Sequence, residues 1–541
     1  MKYMTNSTKQ AIGFDYILKN IEVLTPYGRD KKSEMEPFFD KEKLNSELNK
    51  VSIIKDSIED NRNLYEQLTS LFIHIKDIRN SIYRAKNDSI LSVVELYEVK
   101  TFISIIEDIE VIMHKLPFDM FDDTFIESSD TLRLLFDPQD KGLQTFYIYE
   151  EYSEELKTIR AEKRNIGKLI KLEKNKKRKE LKDKFNIRID PKGEVVVSKE
   201  NGELNDELNN SDEFEYLSES YMSIRYKIKD SIEISNLINK LESLKYEEEE
   251  EEIKIREKLS SEIGFHFDFL MTNIKSIGNF DLKLAKAYLA HRLNATEPKI
   301  LDENEINIIE GIHPKAKQEV TRRNGEFIPI SIYLNKGVTC ITGANMGGKT
   351  ITLRIIALLT AMAQYGLLVP AKSMETSLRE YIFVSMGDLQ SIDSGLSTFG
   401  GEINKVKTAL SNSDKKGLIL IDELARGTNP KEGYAISKSI VKFLLEKPSI
   451  NVITTHYDNI ANTKGVVHYQ VIGLKNLDFN KLKNESKDIG IEAISQFMDY
   501  RLTKLENTAN VPRDALNISK FMGLQDEILD QAEKILMEGE D

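Results

Sequence analysis

The segment from residue 343 to residue 350 combines glycines, a lysine and a hydroxyl in an order that suits phosphate binding. It fits the pattern G-x-x-x-x-G-K-[ST] as Gly343-Ala344-Asn345-Met346-Gly347-Gly348-Lys349-Thr350. Such glycines let backbone N–H groups close around the β- and γ-phosphates of ATP, while Lys349 supplies a cation and Thr350 a hydroxyl for Mg²⁺. The alternative is a glycine turn that Lys-Thr follows by chance. A predicted buried strand at 338–342 and a predicted amphipathic helix at 351–365 favour the phosphate loop.

A pair of acidic residues follows a second apolar run, 417–421, about seventy residues downstream of the glycine-rich segment. If this run is a strand of a parallel sheet, its carboxyl end lies at the edge where ligands bind. Asp422 is then placed to hold Mg²⁺, directly or through water, and Glu423 to polarise the water that attacks ATP. The alternative is that the acids cap the next helix.

A third apolar run, 451–455, is followed by His456. A histidine at this edge of the sheet can donate a hydrogen bond to the γ-phosphate and report its loss. The alternative is a structural histidine whose hydrogen bonds are satisfied within the protein.

The elements that position these residues belong to a region of about 300–480, where predicted strands alternate with helices as in a nucleotide-binding α/β sheet. Upstream, apolar residues at three- and four-residue steps predict packing helices from about 40 to 115. The first 37 residues resemble an entry segment with a turn at Thr25-Pro26-Tyr27-Gly28.

Between these regions the pattern predicts an arm of two long helices. Residues 156–184 contain thirteen Lys or Arg against four acidic residues, which indicates either nucleic-acid contact or a solvated basic face. Apolar runs at 187–189 and 195–197 predict a small hairpin, and 198–212 a loop. The spacing of apolar residues from Leu217 to Leu244 predicts the returning helix. The glutamates at 247–252 indicate a solvated face or, alternatively, a divalent-ion site.

Composition limits the protein class. The 541-residue chain has a net charge of −13, which argues against a uniformly basic nucleic-acid binder but leaves room for a local basic surface. It has no run of 18 apolar residues and no apolar secretion signal at its N-terminus, so no membrane association is expected. The single cysteine, Cys340, cannot form an intrachain disulfide, which fits a reducing cytoplasm.

Four motifs, taken in order, resemble the MutS family of ATPases, relatives of the ABC class. They are 342–350 with the phosphate loop, Gly395-Leu396-Ser397-Thr398-Phe399, Asp422-Glu423-Leu424-Ala425-Arg426-Gly427-Thr428, and Thr454-Thr455-His456. Glu310-Gly311-Ile312-His313-Pro314 also fits, and the similarity extends from about 278 to 536. Ala344 stands where the family usually has Pro and Ala425 where it usually has Gly, and neither change removes a catalytic group.

The resemblance implies further roles. Ser397 matches the family serine that reaches the γ-phosphate bound by the partner subunit, which implies a homodimer or a dimer with a related subunit. Phe327 and Ile328 match residues that pack on adenine, and His456 matches the phosphate sensor. Residues 515–536 resemble helices that help the ATPase to dimerise, and the long arm resembles the lever and clamp that embrace DNA.

The expected fold is therefore an α-helical core and lever with a coiled-coil-like clamp arm, followed by an α/β P-loop ATPase domain of the ABC type. The expected segments are a helical core and lever at 1–150, a clamp arm with a small hairpin at 151–260, a returning lever helix at 261–300, a MutS-type ATPase domain at 301–480, and a helical dimerisation region at 481–541.

Two classes of output stay open at this stage. The family's mismatch readers have additional N-terminal domains and a Phe-x-Glu wedge, whereas this sequence begins with the helical core, and Phe125-Ile126-Glu127 lacks the surrounding domain. Structure-specific DNA binding of the repair or recombination type is therefore expected, rather than direct mismatch reading. The alternative is an ATP-dependent reactivase of adenosylcobalamin-dependent lysine 5,6-aminomutase, because residues 135–156 faintly resemble a MutS-like subgroup associated with that enzyme.

Overall fold

The computed structural model describes residues 2–538 except 140, 143–144, 344–347, 387–397, 426–427, 456, 474–498, 506–515, 517–518 and 520–523. The chain divides into two compact units. The first comprises residues 1–74, 112–125 and 275–541, and the second comprises residues 75–111 and 126–274. These units do not follow the five segments expected from the sequence, because 1–150 and 261–300 are each divided between both units, and the roles assigned to the segments stay predictions.

The described residues from 2 to 150 contain helices and no strand, which agrees with the helices that the apolar spacing predicts from about 40 to 115, whereas three further helices lie in the expected entry segment. The helices are α1 (Asn6–Ala11), α2 (Phe14–Lys19), α3 (Pro26–Ser33), α4 (Lys41–Ser57), α5 (Arg62–His74), α6 (Arg79–Lys86), α7 (Val93–Met113) and α8 (Asp130–Phe136).

The turn predicted at 25–28 is instead the first turn of α3. Thr25 has an extended backbone and its hydroxyl oxygen accepts a hydrogen bond from the N–H of Gly28 at 2.8 Å. Pro26 occupies the first helical position, where its missing N–H costs no hydrogen bond. The same residues that favour a turn therefore start a helix here.

The second unit contains the arm, whose elements are α9 (Glu154–Phe185), β1 (Glu194–Ser198), α10 (Gly202–Asn209), β2 (Phe214–Glu219), β3 (Ser223–Ile228) and α11 (Ile232–Phe265). Helices α9 and α11 pack antiparallel through a small apolar cluster of Ile159, Ile166 and Leu244. The three strands form an antiparallel sheet in the order β1-β3-β2, with its own core around Val195, Phe214 and Tyr226.

The small sheet corrects the predicted hairpin. Val195 and Val197 pair with β3, opposite Tyr226 and Ile224, and residues 187–189 form no strand. The predicted loop at 198–212 contains α10, and the returning helix begins at Ile232 rather than near Leu217. Ile224 and Ile228 fit a helical spacing, but they also alternate with the buried Tyr226, and this two-residue period prevails because β1 and β2 pair on both sides of β3.

The glutamates at 247–252 are not a uniformly solvated face. Glu251 is buried and accepts a hydrogen bond from the hydroxyl of Ser153 at 2.7 Å. Glu248 accepts a hydrogen bond from Arg160 Nε at 2.8 Å and contacts the ammonium of Lys163. In the part of the chain that the structure describes, no three His, Cys, Asp or Glu side chains are arranged to hold a metal ion, so the alternative of a divalent-ion site gains no support.

The remaining elements start with α12 (Phe267–Leu293) and continue as an α/β region. They are β4 (Lys299–Leu301), β5 (Glu305–Gly311), α13 (Pro314–Arg322), β6 (Ile330–Asn335), β7 (Gly337–Thr342), α14 (Lys349–Gln364), β8 (Ser373–Ser377), β9 (Ile382–Ser385), α15 (Thr398–Leu410), β10 (Leu418–Ile421), α16 (Pro430–Leu445), β11 (Ile450–Thr454), α17 (Asp458–Ala461), β12 (Val467–Gly473), β13 (Asp499–Leu505) and α18 (Asp526–Glu538).

A six-stranded sheet in the order β13-β12-β7-β11-β10-β9 forms the centre of the first unit. All its pairs are parallel except β12 with β13. Strand β7 contributes Ile341 to one apolar cluster, which includes α14 and a second sheet in the order β4-β8-β5-β6, and Cys340 to another, which includes α16. Both faces of the central strands are therefore buried, which explains their continuous apolar runs.

Strand β13 also corrects the expected boundary at residue 480, because the predicted helical region 481–541 contributes this strand to the sheet. Helix α18 is the part of that region that agrees with the expectation. Along the described ranges, no helix combines the length and the apolar character needed to cross a membrane.

Candidate nucleotide-binding site

The carboxyl ends of three adjacent parallel strands, β7, β11 and β10, bring the predicted residues together. Thr342 ends β7, Thr454 ends β11, and Asp422 directly follows β10. Lys349 and Thr350 open α14, the helix that follows β7. This is the edge at which open α/β sheets bind ligands, and it is where the sequence predicts that residues following parallel strands should lie.

Asp422 is held by hydroxyl groups from two different elements. Thr350 Oγ1 donates a hydrogen bond to Asp422 Oδ2 and Thr454 Oγ1 donates one to Oδ1, both at 2.6 Å. The backbone N–H of Asp422 donates to the carbonyl oxygen of Ser385 at 2.8 Å, which ties the same residue to β9. The carboxylate is therefore fixed in orientation rather than free to cap the following helix.

Glu423 lies beside this group with a backbone that few non-glycine residues adopt. Its φ of +51° is in the left-handed region, and its N–H donates a hydrogen bond to Thr454 Oγ1 at 2.8 Å. Ala425, which replaces the usual family glycine, also has a positive φ of +63°. Strained backbone of this kind persists only where surrounding contacts determine it, and it is common at functional sites.

The glycine-rich segment is described at both of its ends. Gly343 and Gly348 have φ values of +130° and +81°, and Lys349 Nζ donates a hydrogen bond to the carbonyl oxygen of Gly343 at 2.8 Å. A Cβ atom at Gly348 would lie only 2.6 Å from Cδ1 of Tyr500. Glycine is thus required at position 348 by conformation and by space.

These residues fit Mg²⁺ bound together with a nucleotide. Magnesium prefers oxygen ligands and is usually held by one or two carboxylates together with substrate phosphates and water. Thr350 and Asp422 present a hydroxyl and a carboxylate oxygen 2.6 Å apart at the first turn of α14. The N-terminus of that helix adds a partial positive charge that favours phosphate.

The far end of α14 is fixed by buried polar contacts. The side-chain oxygen of Gln364 accepts hydrogen bonds from the N–H of Arg379 at 2.9 Å and from the hydroxyl of Tyr3 at 3.2 Å, while its amide donates to the Arg379 carbonyl at 2.7 Å. The ammonium of Lys286 on α12 donates to the carbonyl oxygen of Tyr365 at 3.4 Å. The helix that positions Lys349 and Thr350 is therefore anchored at both ends.

His313, from the fifth matching motif, has a structural role in this unit. Its Nδ1 accepts a hydrogen bond from the N–H of Ala316 at 3.3 Å and caps α13, while Nε2 lies 3.0 Å from the carbonyl oxygen of Ile12, to which it donates. Burial lowers the pKa of His313 to about 4, so the ring is neutral at pH 7. This histidine holds the N-terminal helices to the α/β region.

Several predicted residues lie outside the described residues, and their roles stay predictions. They are Ala344, Asn345, Met346 and Gly347 of the loop, together with Ser397 and His456. Phe327 and Ile328 are described as half-buried residues before β6, and Phe327 packs against the core that includes α14. Their proposed contact with adenine is likewise a prediction.

Sequence reasoning missed the part that Thr454 and its neighbours take in this site. The motif Thr454-Thr455-His456 predicts a role for the histidine alone, whereas in the structure Thr454 fixes Asp422. On the other side of β7, Thr342 Oγ1 and His468 Nε2 lie 2.8 Å apart, and burial lowers the pKa of His468. One pattern in the sequence could have indicated these residues: each of them interrupts or ends an apolar run that forms a buried strand next to the phosphate loop.

The family model for MutS domain V matches residues 339–539, which include the whole edge described above. The endonuclease MutS2 of Caldanaerobacter subterraneus subsp. tengcongensis is 29% identical over 560 residues, which cover all of this chain and 65% of the relative. The endonuclease MutS2 of Clostridium tetani is 36% identical over 55% of this chain and 35% of the relative. That of Staphylococcus saprophyticus subsp. saprophyticus is 27% identical over 99% of this chain and 66% of the relative. The chain thus spans between about one third and two thirds of these proteins' length.

Proposed function

We propose that the chain, which resembles MutS2 proteins and matches the model for MutS domain V over residues 339–539, is an ATPase that binds ATP with Mg²⁺ at the edge formed by β7, β11 and β10. The observation that carries the proposal is the placement of Asp422 between the hydroxyls of Thr350 and Thr454 at 2.6 Å. A fixed carboxylate next to a helix N-terminus and a lysine is the arrangement that Mg²⁺-nucleotide binding requires.

Each residue has a distinct task in this proposal. Lys349 and the backbone N–H groups of the loop bind the β- and γ-phosphates, and Thr350 and Asp422 hold Mg²⁺. The bound Mg²⁺ neutralises charge on the phosphates. Glu423, whose backbone is fixed by Thr454, orients and polarises the attacking water.

The proposed enzyme is a dimer with composite sites. Ser397 of one subunit reaches the γ-phosphate bound by the other, and His456 senses that phosphate, as the family resemblance implies. Hydrolysis then changes the dimer interface and drives opening and closing of the α9–α11 arm. A cytoplasmic location is proposed as well.

DNA is the proposed ligand of the arm. The name MutS2 endonuclease borne by the relatives supports a nucleic-acid ligand, and the basic residues of α9 offer a surface for phosphates. Nuclease activity is not included, because only part of each relative's length is matched. Reactivation of an aminomutase stays a prediction from sequence, and no contact described above favours it.

The test compares ATP binding and steady-state hydrolysis in three variants. Glu423→Gln should keep ATP affinity but lose about 10²-fold or more in turnover, since it removes the group that polarises water. Lys349→Ala should weaken ATP binding itself. Glu446→Gln makes the first change at an exposed glutamate after α16 and should leave both quantities unchanged. Wild-type turnover in Glu423→Gln would remove that residue from its role, and a wild-type protein without hydrolysis would refute the ATPase.

A further inference from the structure

Strand β2 is an open edge of the three-stranded sheet between α9 and α11, here called the tip sheet. In the order β1-β3-β2 it pairs with β3 alone. The N–H of Lys229 donates a hydrogen bond to the carbonyl oxygen of Glu213 at 2.8 Å, so the alternation of an antiparallel ladder turns the main-chain groups of Phe214 and Tyr216 away from β3. Among the described residues, no other element bonds to these outward groups. Such an edge can pair with a strand of another chain.

Strand β2 is also more exposed than β1, the other edge strand. Val195 and Val197 of β1 are buried in the core of the tip sheet, whereas every residue of β2 after Phe214 is exposed. Tyr216 lies opposite the buried Tyr226 and therefore on the core side of the sheet, yet it is 55% exposed. An aromatic side chain that is uncovered on the core side of an edge strand leaves room for an apolar neighbour.

The turn that joins β2 to β3 exposes two more large side chains. The N–H of Ser220 donates a hydrogen bond to the carbonyl oxygen of Ser223 at 2.8 Å, so Tyr221 and Met222 are the two turn residues. They are 95% and 72% exposed. Turns of this length usually contain Gly, Asn or Asp, and their geometry requires neither a tyrosine nor a methionine. Exposed apolar side chains that continue from Tyr216 into the turn are typical of a surface that binds protein.

The charges of the tip sheet indicate the chemistry of the partner. Residues 187–230 contain six Lys or Arg against eleven Asp or Glu. On the face away from the core, Lys227 lies opposite Glu194 of β1 and opposite Glu215 of β2, from which its Nζ is 3.9 Å away. One cation thus serves two carboxylates, and Glu215 has no strand on its open side. A Lys or Arg on an added strand would lie beside Glu215 and complete this row of charges.

We propose that β2 binds an extended segment of a partner protein by strand addition, and that this segment alternates basic with apolar residues. The basic residues lie on the face of Glu215 and the apolar ones on the face of Tyr216. The main-chain groups of Phe214 and Tyr216 supply hydrogen bonds, and the alternating side chains supply specificity.

The acidic charge also separates this partner from other occupants of the edge. A second copy of β2 fits less well, because two tip sheets of the same sign repel each other. Nucleic-acid phosphates are repelled for the same reason. The site is therefore one for protein, and it depends neither on the proposed ATP hydrolysis nor on the proposed DNA ligand.

The experiment uses the full chain and a fluorescent peptide of about eight residues in which lysine and valine alternate, at about 50 mM NaCl. The peptide should slow hydrogen exchange of the Phe214 and Tyr216 amides, measured at single-residue resolution. The Glu215 amide should change less, because it faces β3. A peptide of the same composition with all lysines before all valines should bind about fivefold more weakly or less tightly still, because it cannot place the two types on opposite faces.

Two pairs of variants locate the site. Glu215→Lys should weaken binding of the alternating peptide about fivefold or more, whereas Glu194→Lys, the same change in the same row at the other edge, should have little effect. Tyr216→Pro removes an outward N–H that the ladder does not use and should abolish protection of the Phe214 amide, whereas Tyr216→Thr keeps that N–H and should retain part of it. Unchanged exchange of the β1 and β3 amides shows that each variant keeps the tip sheet.

Several results would overturn the proposal. Wild-type affinity in Glu215→Lys, or an equal loss in Glu194→Lys, would mean that net charge alone attracts the peptide. Absence of binding by the wild-type protein, or binding that leaves the Phe214 and Tyr216 amides unprotected, would rule out strand addition. Protection that rises with protein concentration without peptide would assign the edge to a second copy, and protection by duplex DNA would assign it to nucleic acid. Loss of ATP hydrolysis or of DNA binding in other tests would leave the proposal intact.

Discussion

Two charge clusters, one in each unit, each place a carboxylate between two cations, with different consequences. In the first unit, Glu47 lies 2.7 Å from Lys286 and 3.2 Å from Lys283, whose side chains are only 3% and 6% exposed. In the arm, Glu248 lies between Arg160 and Lys163, and the lysine side chain is 32% exposed.

The difference in burial shows what each cluster does. The buried cluster loses its hydration on folding, so its charges must be matched for the unit to fold. Through Lys286 it also fixes the carbonyl end of α14, which begins at the candidate nucleotide site. The arm cluster joins α9 to α11 at a partly exposed surface, through Arg160 and Lys163.

The largest effect is expected from Glu47→Gln. The change leaves two buried lysines with one fewer negative charge and should lower the free energy of unfolding by about 3–5 kcal/mol. Burial alone would raise the pKa of Glu47, but the charges of Lys286 and Lys283 hold it below its ordinary value. The stabilisation is therefore present at neutral pH and is lost as the pH falls below the ordinary glutamate pKa.

Urea unfolding at neutral pH measures this effect. Glu66→Gln, which breaks the exposed pair between Arg62 and Glu66, is the matched control and should change stability by about 0.5 kcal/mol or less. Equal stability of the two variants would contradict the assigned role of the buried cluster.

A smaller effect is expected from Glu248→Gln in the arm. Hydrogen bonds to charged groups contribute about 1.5–3 kcal/mol, and here partial exposure of Lys163 places the loss at the lower end. Added salt should narrow the difference from the wild type, because it screens exposed charges. Hydrogen exchange of the α9 and α11 amides measures this change locally. The difference described between the two clusters would be contradicted if the variant's amides were as protected as those of the wild type, or if salt did not reduce the loss of protection.

The arrangement of residues at the candidate nucleotide site could be predicted from the sequence where each part depends only on residues close to it in the chain. The glycine-rich loop and Asp422 each follow a buried strand, and parallel strands bring such positions to one edge whatever their distance in the chain. Thr454 was missed because its importance depends on β11 lying next to β10, which no local pattern specifies.

The arm shows a second limit. The apolar residues at 224–228 fit both the period of a helix and the alternation of a strand. Pairing with β1, which precedes β3 by about 25 residues of chain, favours the strand. The thirteen basic residues of α9 were visible in the sequence, but the ones that are neutralised depend on acids from α11 and from the segments around β2 and β3. A charge run therefore becomes informative only when its partners are known.

The most direct test of the central claim is the Mg²⁺ dependence of ATP binding, measured by calorimetry with Mg²⁺ and with chelator. In the wild type, Mg²⁺ should tighten ATP binding by about tenfold or more, because Thr350 and Asp422 supply oxygen ligands at the bound phosphates. Asp422→Asn should lose most of this dependence, whereas Asp414→Asn, at an exposed pair with Lys447, should keep it. Unchanged Mg²⁺ dependence in the Asp422→Asn protein would contradict the claim that this edge of the sheet is a Mg²⁺-ATP site.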